Sequence, residues 1–181
     1  MTAVTQSHDA QFVTLGIDRE VFAVPVDAVL EILDMRPMFR IPEAPNYLAG
    51  LIDVRGRGVP VIDLRLKLGL PAQAATETTR ILVLEFSPTD QEGGEQKLVL
   101  GLIADRVIEV ITLDRREIQP APAIGLQWRS DYISGVGRRN DNFVIIFALA
   151  RLFSSSDVAL IAATSTTKPD GEKLKPGRNA A

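Results

Sequence analysis

The chain of 181 residues has a formal net charge of −3, with 46% hydrophobic and 24% charged residues. This composition is typical of a folded globular protein, and it argues against a disordered chain or a strongly basic nucleic-acid-binding domain. The chain contains no cysteine, and its only histidine, His8, lies in a polar leader, which excludes disulfides, cysteine nucleophiles and multi-histidine metal sites.

The first half of the chain predicts short β-strands with one helix among them, after a flexible polar leader over residues 1–10. In chain order the predicted elements are strands over 11–17 and 21–26, a short helix over 27–33, two strands within 47–64 and a helical turn over 65–68. Pro25 belongs at an edge or a strand end, because proline has no N–H to donate to a neighbouring strand. The helix is predicted because its apolar residues have helical spacing and Asp27 begins it.

The second half predicts more strands and one capped helix. In chain order these are a polar linker over 71–79, strands over 80–86, 97–103 and 106–113, a flexible loop over 87–96, an extended corner over 120–125 and a strand pair within 132–149. Ser154 to Asp157 can cap a helix that runs to Ala163. Residues 164–181 are polar and contain proline and glycine, so we expect a disordered tail.

The sequence gives no sign of a membrane segment or a secretory signal. No segment reaches the roughly 18 consecutive apolar residues that a membrane helix needs. The N-terminus, MTAVTQSHDAQ, has no basic region followed by an apolar one. We therefore expect a cytoplasmic protein without direct membrane insertion.

Internal similarity indicates that the chain contains two related β subdomains. The segment YLAG at 47–50 matches YISG at 132–135, and apolar residues of 59–64 match those of 144–149 at the same spacing of 85 residues. Leu15-Gly16-Ile17 matches Leu100-Gly101-Leu102 at this spacing as well, whereas Glu31-Ile32 matches Glu109-Val110 at a spacing of 78. The matches predict subdomains over about 15–70 and 80–150, each a barrel or part of a sandwich, with a groove between them.

Candidate catalytic residues are few. Gly135-Val136-Gly137 begins a GxGxxG pattern, but Asn140 stands at the third glycine and a strand follows instead of a helix. Asp53 and Asp63 could form a carboxylate pair, although both positions also suit outward polar residues or turn supports. We expect no enzymatic activity, no cofactor and no metal.

The stretch LIDVRGRGVPVIDL at 51–64 allows several interpretations. Its RGRG centre could bind RNA, cradle a phosphate, or form a four-residue hairpin loop whose glycines permit positive φ. In the hairpin interpretation Arg55 is available to a partner carboxylate, because its planar guanidinium makes two charge-assisted hydrogen bonds. A small RNA-binding barrel and a ligand-binding barrel with an apolar cavity remain alternatives.

Four segments resemble the CheW family of chemotaxis coupling proteins: FVTLGIDREVFAVPVDAVLEIL, RIPEAPNYLAGLIDVRGRGVPVIDLRLKLG, LGLIADRVIEVITLDRREIQPAP and YISGVGRRNDNFVIIFALARLF. The resemblance implies a CheW-like domain over 11–163, mostly β, with two five-stranded SH3-like barrels that exchange terminal segments. It also implies a non-catalytic adaptor, peripheral to membrane receptor arrays, that joins chemoreceptor cytoplasmic tips to the regulatory domain of a CheA-type histidine kinase. A related adaptor of a pathway that controls pili or surface behaviour is the alternative.

The resemblance also assigns binding residues. The receptor-binding residues that it implies are Val29, Glu31, Gly50 and Arg55. The kinase-binding residues that it implies are Gln119, Pro120 and Ile124. Two of these have a structural alternative, because Val29 suits a core position and Gly50 suits close packing or a bulge. Gln119 and Ile124 depart from the arginine and phenylalanine that are frequent in the family's I-R-P-A-P-x-F segment.

Overall fold

Two five-stranded β-sheets with three short α-helices make up the fold, in a computed structural model that describes residues 8–88, 96–121 and 130–165. The mostly β class with two five-stranded units is therefore confirmed. The strands are β1 (Asp9–Ile17), β2 (Glu20–Pro25), β3 (Val29–Asp34), β4 (Leu48–Val54), β5 (Arg57–Asp63), β6 (Arg80–Phe86), β7 (Leu98–Ala104), β8 (Arg106–Asp114), β9 (Ile133–Arg139) and β10 (Asn142–Phe147). The helices are α1 (Leu64–Lys67), α2 (Leu149–Leu152) and α3 (Ser155–Thr164).

The two sheets have the same strand order. The first sheet runs β8-β1-β2-β10-β9, and the second runs β3-β6-β7-β5-β4. Strands β2 and β10 pair in parallel in the first sheet, as β5 and β7 do in the second, and the other pairs are antiparallel. Each sheet therefore combines two consecutive strands from one half of the chain with three from the other half.

Matching sheet positions correct part of the predicted repeat. The β4–β5 and β9–β10 hairpins hold equivalent places, as do the edge strands β3 and β8. Leu15-Gly16-Ile17 and Leu100-Gly101-Leu102, however, lie on β1 and β7, which are not equivalent. That match was wrong, because the short apolar-glycine-apolar pattern fits any buried strand and the counterpart of β7 is β2.

In the described residues, buried side chains form three cores. The largest core lies between the sheets and takes side chains from β1 and β2 on one side and from β6 and β7 on the other, among them Leu15, Phe22, Leu82 and Leu100. A smaller core belongs to the first sheet alone, around Ile111 and Val144, and another to the second sheet alone, around Ile52 and Ile81. Because successive side chains on a strand point to opposite faces, the central strands supply both their own core and the shared one.

The predicted helix over 27–33 is wrong. A single 3-10 turn spans Val26–Ala28, and the chain then continues as the edge strand β3, paired with β6. Leu30 forms a bulge, since the register with β6 shifts between Val29 and Glu31. The local spacing suited a helix, but pairing with a buried strand outweighs such weak local preferences, and valine and isoleucine favour strands.

Polar groups fasten the sheets together at two places. Arg65 donates to the carboxylate of Asp105 at 2.6 Å and to the carbonyl of Pro71 at 3.0 Å, and Asp105 also accepts from the backbone N–H of Asp18 in the β1–β2 turn. The second contact is an ion pair between Lys67 and Asp157 of α3. The predicted N-terminal cap of α3 is present, as a capping box formed by Ser154 and Asp157.

Parts of several predictions lie outside the described residues, namely most of the leader, the tail, the corner over 120–125 and the loop over 87–96. Strand β1 begins at Asp9, inside the predicted leader, and β2 ends at Pro25 as predicted. Among the residues that the structure describes, no helix is long and apolar enough to cross a membrane.

Candidate protein-binding faces

The RGRG stretch forms a tighter turn than predicted. Arg55 and Gly56 alone make the turn, both with positive φ (53° and 81°), whereas Arg57 and Gly58 already belong to β5. Such two-residue turns match the twist of antiparallel strands. The carboxylate of Asp53 accepts a hydrogen bond from the N–H of Gly56 at 2.7 Å, which supports the turn. The predicted four-residue loop is therefore corrected to a two-residue one.

Arg55 and Glu31 come together although they lie 24 positions apart in the chain. The guanidinium donates to the Glu31 carboxylate at 3.4 Å, and the Arg55 side chain is 83% exposed. Strand β3 and the β4–β5 hairpin stand at opposite ends of the second sheet, so this contact closes the sheet on itself. An exposed ion pair of this length contributes at most about 1 kcal/mol, which leaves the guanidinium available to another carboxylate.

The two chain neighbours of Glu31 are apolar residues with exposed side chains. Leu30 is 53% exposed and Ile32 is 44% exposed. Val29, in contrast, is half-buried and packs against the core between the sheets. We call the exposed edge of the second sheet that includes Leu30, Glu31, Ile32 and Arg55 the β3 face. The sequence did not identify Leu30 and Ile32 as surface residues, because their segment was predicted as a helix and not as an edge strand.

Gly50 is a packing residue in the structure. It is buried, has a φ of 150°, and a Cβ at this position would lie 2.4 Å from the carbonyl oxygen of Phe39. Phe39 and Leu51 exchange two backbone hydrogen bonds beside it, and a bulge lies between Leu48 and Gly50. Gly50 therefore influences the β3 face only through the position of β4.

The first sheet carries a counterpart of the β3 face. Glu109 on the edge strand β8 pairs with Arg139 of the β9–β10 hairpin at 3.6 Å, as Glu31 pairs with Arg55. Ile108 and Val110, the chain neighbours of Glu109, are 45% and 54% exposed. Their exposure is similar to that of Leu30 and Ile32. Each sheet therefore carries an ion pair whose glutamate has exposed apolar neighbours in the chain.

The predicted kinase-binding residues lie next to β9. Gln119 and Pro120 are exposed, and Gln119 exchanges two backbone hydrogen bonds with Val136 at 3.0 and 2.8 Å. Gln119 also lines a surface pocket of about 290 Å³, together with Leu113, Glu117 and Arg138 among others. Ile124 lies outside the described residues.

The acidic side chains of the described residues do not gather into a metal-binding group. No group of three or more His, Cys, Asp or Glu side chains there could hold a metal ion. Asp53 supports the hairpin turn, and Asp63 caps α1 by accepting from the N–H of Leu66 at 3.3 Å. The two carboxylates proposed as a pair thus have separate structural tasks.

Comparison with known proteins agrees with this architecture. The CheW-like domain family matches residues 11–157. The chain is 34% identical to the chemotaxis protein CheW of Helicobacter pylori over 142 residues, which cover 78% of this chain and 80% of that protein. It is 28% identical to the chemotaxis protein CheW of Klebsiella aerogenes, over 83% of this chain and 86% of that one.

A solved structure extends the agreement to three dimensions. The scaffolding protein TtCheW from Thermoanaerobacter tengcongensis superposes with a TM-score of 0.71 at 25% identity, over 87% of this chain and 96% of that chain. The family match covers both sheets and reaches the first turn of α3. The chain therefore belongs to the CheW-like domain family and is a chemotaxis coupling adaptor.

Proposed function

We propose that the protein joins chemoreceptor cytoplasmic tips to the regulatory domain of a CheA-type histidine kinase, without catalysing a reaction. An adaptor needs separate exposed contact surfaces and no reactive centre. The described residues offer such surfaces at the β3 face, at its counterpart on β8 and around Gln119. Such an adaptor would work on the cytoplasmic side of receptor arrays, bound through its partners.

The receptor is assigned to the β3 face, and the observation that carries this assignment is the exposed Arg55–Glu31 pair between Leu30 and Ile32. A partner carboxylate can replace Glu31 at the guanidinium, while the two apolar side chains bury area against the partner. Arginine beside apolar residues is a frequent composition of binding hot spots. Val29 and Gly50 contribute by holding β3 and β4 in place.

The kinase is assigned to the segment after β8. Gln119 and Pro120 are exposed, and two backbone hydrogen bonds hold Gln119 against β9, so the position of this segment is defined without a partner. The resemblance extends this contact to Ile124.

The receptor assignment is tested by substituting Arg55→Ala and measuring the affinity for a purified chemoreceptor cytoplasmic fragment. We expect a loss of about five- to thirtyfold, the usual cost of truncating an interface arginine. Arg57→Ala is the matched control, because Arg57 is exposed on the same hairpin but lies outside the β3 face, and its affinity should stay within about twofold. Equal affinities of all three proteins would contradict the assignment.

The same preparation tests the RNA-binding alternative. A labelled RNA mixture titrated at two salt concentrations should show no salt-dependent complex, since phosphate binding by a protein weakens steeply with salt. An RNA complex that Arg55→Ala abolishes would replace the adaptor proposal.

A further inference from the structure

Phe143 has the most exposed large hydrophobic side chain in the described part of the chain. It stands near the start of β10 and is 66% exposed. Arg138 lies directly opposite on β9, and its guanidinium covers the ring at 5.6 Å from the ring centre. An aromatic ring left in water beside an arginine is a typical binding anchor, because both side chains are enriched in interface hot spots.

The other hairpin shows that the fold does not need this ring. The positions 85 residues earlier, at the equivalent place in the β4–β5 hairpin, are Asp53 and Gly58, which also lie opposite each other. Gly58 has no side chain and is buried. Two hairpins of the same geometry thus fold with and without the exposed ring, and packing alone does not explain Phe143.

Arg138 has little to hold it in place. Its contact to Asp141 is 3.8 Å long, and the two side chains are 66% and 102% exposed. Such an exposed pair is weak in water, so the guanidinium can turn to a partner carboxylate. Arg138 also lines the 290 Å³ pocket with Gln119, which makes the hairpin surface continuous with the proposed kinase contact.

We infer that Phe143 and Arg138 anchor the kinase contact, on a surface that continues from Gln119 and Pro120. The partner surface that fits has an apolar depression for the ring and a carboxylate for the guanidinium. This inference rests on the proposed function, and it assigns the hairpin of the first sheet to the kinase and that of the second sheet to the receptor.

Phe143→Ser and Arg138→Ala test the inference, with affinities measured for a full-length CheA-type kinase and for the receptor fragment. We expect kinase affinity to fall about tenfold for Phe143→Ser and about fivefold for Arg138→Ala, while receptor affinity stays within about twofold. Asn142→Ala is the matched control on the same hairpin, because Asn142 is exposed and its side chain donates only to the backbone carbonyl of Asn140, and it should bind both partners as the unchanged protein does. Substitutions at exposed positions rarely affect folding, so the melting temperature of each variant should equal that of the unchanged protein.

Each other result overturns the inference. If the unchanged protein binds the kinase and both variants bind equally well, the hairpin is not the anchor, and the proposed function stands. If the variants lose the receptor instead, the hairpin belongs to the receptor contact. If the unchanged protein does not bind the kinase, the proposed function fails together with the inference.

Discussion

Lys67 and Asp157 form an ion pair of 2.7 Å in which the side chains are only 9% and 5% exposed. Lys67 ends α1, which directly follows strand β5 of the second sheet. Asp157 lies in α3, which comes after strand β10 of the first sheet. Tyr47 donates a hydrogen bond to the same carboxylate, and the ammonium of Lys67 lies 4.5 Å from the centre of the Tyr47 ring. The C-terminal helix is thereby fastened to the second sheet, and it helps to fix the two sheets relative to each other.

Asp157 should make stability depend on pH in the acid range. Burial raises the pKa of Asp157, but hydrogen bonds from Lys67, Tyr47 and Ser154 outweigh it and hold the pKa below its usual value. The ionised carboxylate therefore stabilises the fold above about pH 4, and this stabilisation is lost as the pH falls through the lower folded pKa. At pH 7 we expect Asp157→Asn to lower the free energy of unfolding by about 2–4 kcal/mol.

Urea unfolding of both proteins at pH 7 and near pH 2 measures this effect. The difference between them should shrink as the pH falls through the lowered folded pKa of Asp157, because the carboxylate of the unchanged protein then takes up a proton. A difference of the same size at both pH values would show that Asp157 acts through its shape alone.

The phenol of Tyr47 should lose its proton at a higher pH than an ordinary tyrosine. Burial, followed by the hydrogen bond to Asp157, raises the pKa of Tyr47 to about 12. Ultraviolet titration should therefore show one phenolate signal near pH 12 that disappears in Tyr47→Phe. This folded pKa lies above the unfolded value of about 10. The neutral phenol therefore stabilises the fold fully below about pH 10, and this contribution is lost as the pH rises through the folded pKa. A Tyr47→Phe protein that keeps the late signal would contradict the assignment.

The stabilising effect of Arg65 should come mainly from its ion pair with Asp105 and much less from that with Asp18. Its guanidinium is 2.6 Å from Asp105 but 3.7 Å from Asp18, which is 53% exposed. Asp105→Ala leaves a buried guanidinium without its main partner and should cost about 2–3 kcal/mol of unfolding free energy. Asp18→Asn is the matched control, because asparagine removes the charge but tolerates the positive φ of 55° at this turn residue, and it should cost less than about 1 kcal/mol. Equal costs in a denaturant titration would exclude Asp105 as the main anchor.

Short-range signals predicted part of the molecule well. The α3 cap was predicted from Ser154 and Asp157 because a capping box is decided by neighbours in the chain. The β4–β5 hairpin was predicted from alternation and glycine, although its turn proved two residues long. Strand β3 was missed because its pairing with β6 depends on residues about 50 positions away, which local spacing does not report.

Of the candidate site, only the exposed position of Arg55 could be predicted from the sequence, because an arginine in a turn has few structural roles. Arg55 in a turn pointed to the surface, and the structure places it there. Its contact to Glu31 and the exposure of Leu30 and Ile32 depend on how the sheet closes, which no local pattern reports. The buried Arg65 was missed for the same reason, since its partners lie in distant turns.

Gly50 and Gly56 should respond differently to a methyl group. In Gly50→Ala the new Cβ would meet the carbonyl oxygen of Phe39, so the backbone must move, and we expect a loss of more than about 2 kcal/mol. In Gly56→Ala the space is open and only the positive φ opposes the change, at a cost of about 1 kcal/mol. Thermal unfolding measures both, and a reversed order would refute the packing role of Gly50.

The most direct test of the adaptor account is an amide NMR titration of the labelled protein with the receptor cytoplasmic fragment. The account predicts that shifts concentrate on residues 30–32 and 53–57, and that the β9–β10 hairpin with Phe143 stays unperturbed. Saturable binding whose shifts avoid the β3 face, or no binding at all, would contradict it.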